Sequence, residues 1–248
     1  MKLSEIPLDD RLKILLYGLS GSGKTCFAAS MPLPILYLDF DGKIDSAAHF
    51  FHADKERLDH IDVRNLSQKF TDSPIAELER IIKEELIPQE KSGNMKFRTL
   101  VLDSITTFSS QTLKYIVDTN PGIKRVITKQ GQQPGMQDFG ILKREFSKLI
   151  PNILALPCNI VMLGHIETDK DDITGEIIRG PSMDGSFSKD LPIYFKEVWR
   201  SYVDDKGVHW AQTRSDARYA CRSQIRNIPN PMALSFQTLE GYLLKERT

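Results

Sequence analysis

Short apolar runs alternate with helix-like segments along most of this chain. Each run has about the length of a buried β-strand, and the segments between the runs carry apolar residues at helical spacing. This alternation is typical of a parallel sheet whose strands are joined by right-handed helical crossovers. We therefore predict an α/β fold in which ligands bind at the carboxyl ends of the strands. The predicted strands are Lys13–Tyr17, Ile35–Asp39, Thr99–Asp103, Ile160–Gly164 and Glu197–Val203.

Two of the segments between these runs are predicted to be helices. Ser73–Ile87 begins with a Ser-Pro pair, which is typical of an N-cap followed by proline at the first helical position. Gln137–Leu156 carries apolar residues at helical spacing. Pro151 within it is expected to bend or split the helix.

The C-terminal part of the chain shows a pattern of shorter apolar runs. Val198–Val203 and Val208–Thr213 flank Asp205-Lys206-Gly207, a turn signal that predicts an antiparallel hairpin added to the sheet. Ala217–Cys221 is predicted to be a further short strand, and Ser235–Lys245 a closing helix.

Bulk composition limits the class of protein. The 248 residues suit one α/β domain over 1–248, with a core at 12–203 and the hairpin and closing helix at 204–248. The 33 basic and 33 acidic residues give a formal net charge of zero, so no global positive field indicates nucleic acid binding. The three cysteines form no C-x-x-C pair. Neither a signal peptide nor an apolar run of about 18 residues is found, so we expect a cytoplasmic protein without membrane association.

The sequence Gly18-Leu19-Ser20-Gly21-Ser22-Gly23-Lys24-Thr25 is a complete phosphate-binding loop motif, G-x-x-x-x-G-K-T. It lies between a predicted strand and a segment that can start a helix, which is the context that this motif requires. Backbone N–H groups of such a loop and the helix N-terminus form a positive concavity for phosphate. Lys24 would reach the β- and γ-phosphates, and the Thr25 hydroxyl would hold Mg²⁺. The predicted nucleotide-binding residues are Gly18, Ser20, Gly21, Ser22, Gly23, Lys24, Thr25 and Cys26.

Carboxylates follow two of the predicted strands. Asp103 closes its strand, and in a parallel sheet it emerges at the same edge as the phosphate loop, where it can complete a Mg²⁺ shell. The alternative is that Asp103 and Ser104 cap the next helix. Asp39 and Asp41 alternate with apolar residues at the end of the second strand, so we expect them to share one side of the chain. One of them could orient the attacking water, and the alternative is a pair of exposed carboxylates.

Polar residues beyond these strands offer further candidates. His165 directly follows Ile160–Gly164, where it could contact the γ-phosphate, although a lone histidine is more often structural. Two long polar stretches, Asp118–Gly135 and Glu167–Ser188, fit no regular element. Loops of this length in a compact domain are usually functional or disordered.

The order of these motifs resembles the RecA-like recombinase core. More closely, it is similar to the RecA-like branch of the phage Sak group of single-strand annealing proteins, also known as phage ATP-binding core proteins. The resemblance implies ATP and Mg²⁺ as cofactors, Asp103 as the Walker B carboxylate and Asp41 as the catalytic carboxylate, where RecA has Glu. It also implies that His165 takes the place of a glutamine that senses the γ-phosphate and moves a DNA-binding loop. The resemblance runs from about Leu12 to Pro231, through Gly18–Thr25, Leu38–Asp41, Leu100–Ser104, Gly164-His165 and Ser186–Val203.

The resemblance further implies that both polar stretches contact single-stranded DNA. Lys124, Arg125 and Lys129 in the first stretch are then candidate contacts to the DNA backbone.

RecA-like ATPases usually act between subunits, so the resemblance also implies a homo-oligomer, as a ring or a filament. Arg222 and Arg226 lie closest to the position from which a neighbouring subunit would complete the site. Together with Arg214 and Arg218 they recur at every fourth residue, which on a strand would place them on one face. The alternative is a solvated basic face.

The sequence therefore predicts an ATP-dependent, RecA-like phage recombination protein that binds single-stranded DNA and promotes annealing or pairing. A single-strand DNA-binding protein is a candidate partner. One alternative is a helicase loader or replication-accessory ATPase that acts on a protein partner, and a further one is a small-molecule kinase. The predicted catalytic residues of the leading hypothesis are Lys24, Asp41, Asp103, His165, Arg222 and Arg226.

Overall fold

The fold is known from a computed structural model, which describes residues 11–67, 73–129, 131–170 and 177–246. The N-terminal residues considered above for a signal peptide lie outside the described residues. So do Gln130 of the first polar stretch and residues 171–176 of the second.

Twelve strands are found in the described residues. They are β1 (Lys13–Gly18), β2 (Ile35–Asp39), β3 (Ile61–Asn65), β4 (Thr99–Asp103), β5 (Ile127–Thr128), β6 (Gly131–Gln132), β7 (Asn159–Gly164), β8 (Ile166–Lys170), β9 (Ile177–Pro181), β10 (Glu197–Val203), β11 (His209–Gln212) and β12 (Met232–Ala233).

Eight of these strands form one sheet, in the order β12-β11-β10-β1-β7-β4-β2-β3. From β10 to β3 all neighbours are parallel, while β11 and β12 are antiparallel additions at one edge. The pairs β5–β6 and β8–β9 are separate small hairpins. Because the six parallel strands run in one direction, the chain segments that leave β1, β2, β4 and β7 all meet at one edge of the sheet.

Helices connect the strands and cover the sheet. The helices are α1 (Lys24–Ala29), α2 (Asp45–Phe50), α3 (Lys55–Asp59), α4 (Pro74–Arg80), α5 (Ile87–Lys91), α6 (Ile105–Thr119), α7 (Met136–Ala155), α8 (Phe187–Asp190) and α9 (Phe236–Glu246). A π-helical turn, Ile81–Leu86, joins α4 to α5, and α8 continues into a 3₁₀ turn, Leu191–Tyr194.

Successive residues of a strand point to opposite faces of the sheet. Both faces of this sheet are buried because side chains of the helices pack against each of them. On one face Ile14, Leu16 and Val101 pack with Phe27 of α1 and Leu239 of α9. All five are almost completely buried. The nucleotide-loop helix α1 therefore lies on the same face as the closing helix α9.

The opposite face carries the larger core, built by α4, α6 and α7. Leu15 and Leu102 from the sheet pack with Leu78 of α4, Phe108 of α6 and Phe146 of α7. The rings of Phe108 and Phe146 lie 5.1 Å apart between their centroids. With both faces covered by apolar side chains, polar groups of the sheet are left to its edges and strand ends.

This architecture confirms the predicted fold class, a mostly parallel central sheet with flanking helices and an antiparallel hairpin near the C-terminus. The strands β2, β4 and β10 have the predicted bounds. The Ser73 side chain caps α4 by accepting the Ala76 N–H, with Pro74 in the first turn.

Two local predictions differ from the structure. Pro151 does not split α7, since Phe146, Ile150 and Ile153 anchor the helix to the core on both sides of the exposed proline. Residues 217–221 form no strand and contribute one isolated bridge, at Tyr219, and the third antiparallel strand is β12. The reason is a turn in which the Asp216 carboxylate accepts the N–H groups of Arg218 and Tyr219.

The two polar stretches are more regular than their sequence indicated. The first includes the end of α6 and the hairpin β5–β6, and the second includes most of the hairpin β8–β9 and the start of α8. The hairpin β8–β9 meets the core at its base, where Ile166 packs against the larger core and Pro181 is buried. Among the described helices, none is long and apolar enough to cross a membrane.

Candidate nucleotide-binding site

The phosphate loop joins the end of β1 to the start of α1 at the carboxyl edge of the sheet. Gly23, the residue before α1, has a φ of +89°, which favours glycine. A Cβ there would lie 2.8 Å from Nδ1 of His209, so the close approach of β11 also excludes a side chain. Ser22 Oγ donates to the Leu19 carbonyl at 2.7 Å and is hydrogen-bonded to Ser201 Oγ of β10 at 2.6 Å. The loop is therefore fixed both by its own backbone and by the neighbouring strands.

Lys24 is buried inside this loop, with 7% of the residue exposed. Its Nζ donates to the carbonyls of Gly18 at 3.0 Å and Leu19 at 2.8 Å. Burial lowers the pKa of Lys24, while the carboxylates of Asp103 and Asp41 oppose that change. The amine is thus held where a phosphate bound in the loop would meet it.

Thr25 and Asp103 are brought together as a pair. Thr25 Oγ1 donates to Asp103 Oδ2 at 2.8 Å, and the Tyr37 hydroxyl donates to the same oxygen at 2.6 Å. Burial raises the pKa of Asp103, and these two hydrogen bonds act against that rise. Burial and the adjacent Asp103 raise the pKa of Tyr37 well above its ordinary value, so its hydroxyl stays a donor. Ser104 also caps α6 through the Thr107 N–H, so the alternative proposed for the Asp103-Ser104 pair holds for Ser104.

Asp39, the last residue of β2, and Asp41, two residues further on, have different environments. Asp39 is fully buried, and its carboxylate accepts backbone N–H groups from residues 41–44, which closes the turn after the strand. Asp41 instead lines the cavity beside the phosphate loop. The expectation that both carboxylates share one side is therefore wrong, since Asp39 turns back toward its own backbone. The alternative of two exposed carboxylates is wrong as well.

Asp41 forms a second polar group with His165. Its Oδ1 accepts the Ser104 hydroxyl at 3.0 Å, and its Oδ2 lies 3.4 Å from His165 Nε2. Burial alone would raise the pKa of Asp41, but hydrogen bonds from His165, Thr107 and Ser104 hold it at about 2. The carboxylate is consequently ionised at neutral pH. The His165 N–H is fixed by Thr106 Oγ1 at 2.9 Å, which sets the chain direction directly before β8.

These groups surround one cavity of about 450 Å³. It is lined by Ser20 to Cys26 of the loop and first helical turn, together with Asp41, Asp103 and His165. Burial raises the pKa of Cys26, so its thiol is not activated. The structure therefore brings the predicted residues of the loop and of three strand ends into one place.

The sequence did not identify six further residues that line this cavity, namely Lys43, Asp45, Ser46, Phe50, His209 and Leu234. They come from the turn after β2, from α2 and from the antiparallel edge of the sheet, which no motif links to the loop. The same Phe50 and Leu234, with Cys26, also border a neighbouring cavity of about 620 Å³ near Arg57 and Phe236. The two cavities therefore adjoin beside α1, past the phosphate loop.

A divalent cation fits the donor set of the first cavity. Thr25 and Asp103 supply a hydroxyl and a carboxylate, and Mg²⁺ is commonly bound by one or two such groups together with nucleotide phosphates. Within the described ranges no group of three or more His, Cys, Asp or Glu residues could hold a metal by itself. A Mg²⁺ site here would accordingly depend on the nucleotide.

The four arginines at every fourth residue, Arg214, Arg218, Arg222 and Arg226, do not lie on a strand. Their even spacing therefore does not place them on one face. Arg222 pairs with Val198 through its backbone, and its guanidinium donates to the carbonyls of Pro192 and Phe195 of the same chain. Arg222 is exposed, and its predicted role in a neighbouring subunit's site stays a prediction. Arg226 is exposed and lies in an irregular segment.

Of the three predicted DNA contacts, Arg125 is placed differently from the others. Its side chain is 1% exposed and forms two hydrogen bonds with the Asp138 carboxylate, at 2.9 and 2.7 Å. It also donates to the carbonyl of Asn120, so it braces the base of the β5–β6 hairpin. The prediction of a DNA contact is therefore wrong for Arg125. Lys124 and Lys129 are exposed on the same hairpin segment.

The fold and the site together define a P-loop NTPase, in which β7 separates the phosphate-loop strand β1 from the carboxylate strand β4. A family described as an AAA domain matches residues 10–223, and the chain belongs to this family of P-loop ATPases. The solved structure of the RadB recombinase is similar over 81% of this chain and 79% of that one, with 15% identity and a TM-score of 0.46. No curated protein sequence matches the chain.

Proposed function

We propose that this protein is an ATP-dependent recombination protein of the phage annealing type, which binds single-stranded DNA and promotes annealing or pairing. The observation that carries the proposal is the cavity in which Lys24, Asp103, Asp41 and His165 meet, directly before the hairpin that begins at β8. This arrangement supports a site in which nucleotide binding changes the position of the adjacent β8–β9 hairpin.

In the proposed reaction, Lys24 leaves its two loop carbonyls and binds the phosphates of ATP. Bound Mg²⁺, held by Thr25 and Asp103, would offset the phosphate charge. Asp41 is ionised and half-enclosed, so it can orient and accept a proton from a water molecule aimed at the γ-phosphate. Its shorter side chain, compared with glutamate, fits slow hydrolysis.

His165 is the proposed connection between the nucleotide and DNA. Its ring contacts Asp41 at 3.4 Å, and the next residue, Ile166, starts β8. A change in the position of Asp41 on ATP binding would therefore move the start of the β8–β9 hairpin. We propose that this hairpin and the β5–β6 hairpin contact DNA, with Lys124 and Lys129 on the backbone phosphates.

The hydrolytic part of the proposal is tested by Asp41→Asn. We expect ATP hydrolysis to fall about a hundredfold or more while nucleotide affinity is retained, because a general base is removed without a change in shape. Asp45→Asn is a matched control, since Asp45 is an exposed carboxylate lining the same cavity. Equal hydrolysis by Asp41→Asn and wild-type protein would remove Asp41 from this role.

The DNA part is tested by single-stranded DNA affinity at low salt, with ATP, with a slowly hydrolysed analogue and without nucleotide. We expect affinity to depend on the nucleotide and Lys124→Ala with Lys129→Ala to weaken it at every sequence, with a smaller salt dependence. Mass measurement in each state reports the oligomer. Absence of DNA affinity in all three states would contradict the proposal.

We further propose that ATP lies at a subunit interface, with Arg222 and Arg226 as the candidates for the group supplied by a neighbour. Mixing Arg226→Ala with Lys24→Ala protein tests this, because subunits that share sites would give an activity different from that of the separate proteins. An unchanged activity on mixing would remove the support for a shared site.

A replication-accessory ATPase that acts on a protein partner is the second candidate. It is favoured by the exposed apolar side chains of Val126 and Ile127 on the first hairpin and Met136 at the start of α7, which are 69%, 77% and 92% exposed. Retention of a replicative helicase by the wild-type protein, and its loss in Val126→Ser with Ile127→Ser, would support this candidate over DNA annealing.

A further inference from the structure

We propose that Tyr37 is a positioning residue for the cation site, which fixes the orientation of the Asp103 carboxylate toward Mg²⁺. The inference rests on the proposed binding of ATP with Mg²⁺ and deepens it. Tyr37 lies in the middle of β2, is fully buried, and donates its hydroxyl to Asp103 Oδ2 at 2.6 Å.

The register of the sheet explains how Tyr37 reaches this carboxylate. Tyr37 is paired with Val101 and Asp39 with Asp103, so the tyrosine lies two residues before Asp103 and on the same face. The length of the tyrosine side chain spans that step along the neighbouring strand. Asp39, although directly beside Asp103, is turned toward the backbone N–H groups that follow it. The sheet therefore supplies a donor to Asp103 through Tyr37, and α1 supplies the other through Thr25.

The kind of donor also matters for a cation site. Tyr37 and Thr25 are neutral donors, so they fix the carboxylate without cancelling the negative charge that a cation requires. Both bind Oδ2, which sets the plane of the carboxylate without using Oδ1. Outer groups that orient a metal ligand in this way typically change metal affinity about 10- to 100-fold when they are removed.

Tyr17 shows that a buried tyrosine in this sheet does not need a carboxylate. It is also fully buried, in β1, and donates its hydroxyl to the Ala220 carbonyl at 2.8 Å on the opposite face. A backbone carbonyl satisfies that hydroxyl, which is the ordinary solution for a buried tyrosine. Tyr37 instead donates to the Asp103 carboxylate, which indicates a role in the cation site.

The test is Tyr37→Phe in the full chain, which keeps the ring and removes the hydroxyl. Binding of a fluorescent ATP analogue is followed as Mg²⁺ is titrated, and its affinity is measured separately in EDTA. We expect the Mg²⁺ midpoint to rise about tenfold or more, with unchanged affinity in EDTA. The Mn²⁺ midpoint is expected to rise in parallel, since both cations use the same carboxylate.

Tyr17→Phe is the matched control, because it removes an equally buried hydroxyl far from Asp103, and its Mg²⁺ midpoint should equal that of the wild type. An unchanged midpoint in Tyr37→Phe would overturn the inference alone. A loss of nucleotide affinity in EDTA by Tyr37→Phe would also overturn the inference, and so would an equal rise of the Mg²⁺ midpoint in both variants. Either result would be explained by a general structural defect. Wild-type binding that ignores Mg²⁺ would overturn the proposed Mg²⁺ site itself.

Discussion

Lys24 and Arg125 are both buried cations, but their partners differ. Lys24 donates to two backbone carbonyls of the phosphate loop, whereas Arg125 donates to both oxygens of the Asp138 carboxylate. A buried charge is costly unless an opposite charge accompanies it. Arg125 is therefore satisfied within the folded chain, while Lys24 is held by neutral groups that a phosphate can replace. The difference between the two residues lies in their partners: Lys24 has carbonyl partners that a phosphate can replace, whereas Arg125 has a carboxylate partner and stabilises a loop.

The largest expected effect in this comparison is that of Lys24→Ala on nucleotide binding. We expect a loss of about 2–5 kcal/mol in binding free energy, because the phosphates lose a buried charged partner. Titration with a fluorescent ATP analogue measures it, and thermal unfolding should show a fold that is retained. Arg125→Met is the matched control and should bind the analogue as the wild type does. If Arg125→Met weakened binding of the analogue and Lys24→Ala did not, Arg125 rather than Lys24 would be the cation that binds the nucleotide.

A second expected effect is on stability, from Arg125→Met. Removing the arginine leaves the buried Asp138 carboxylate without its cation, so the unfolding temperature should fall by several degrees. Arg125→Met combined with Asp138→Leu should recover much of that loss, because no unpaired charge remains. A double variant no more stable than the single one would show that the pair is not the cause.

The smallest expected effect concerns Asp41, the anion that lies closest to His165 in the cavity. Its pKa is about 2 in the folded chain, below the 3.8 of an unperturbed aspartate, so folding favours the ionised form. This contribution, roughly 2 kcal/mol, is fully present above about pH 5 and is lost as the pH falls through about 2. Denaturant unfolding of wild type and Asp41→Asn between neutral pH and pH 2.5 measures it. The stability difference between the two proteins should shrink in acid, and a constant difference would contradict the assignment.

The nucleotide site was largely predictable because its residues are fixed by local rules. The loop Gly18–Thr25 contains its own geometry, and Asp103, Asp41 and His165 each follow a strand whose apolar run is visible in the sequence. Parallel strands then bring those positions to one edge without further information. Tyr37 could not be identified in this way, because it looks like any other residue of a buried strand.

The basic residues of the polar segments could not be interpreted from charge alone. Arg125 and Lys124 are adjacent in sequence, yet one is buried against a residue of α7 and the other is exposed. Arg222 belongs to a series of arginines at every fourth residue, yet its guanidinium donates to the carbonyls of Pro192 and Phe195. A side chain in an irregular segment has no periodic face, so only the folded contacts decide whether its charge is available.

The sequence by itself determined five of the six parallel strands, the phosphate loop and the three strand-end residues that accompany it. It could do so because apolar periodicity and backbone-specific glycines act over a few neighbouring residues. Only the tertiary structure decided that Asp39 closes a turn while Asp41 enters the cavity, that Arg125 is paired internally, and that Tyr37 holds Asp103. Those outcomes depend on distant residues that compete for the same donors and acceptors, and that competition is settled only when the sheet edge is assembled.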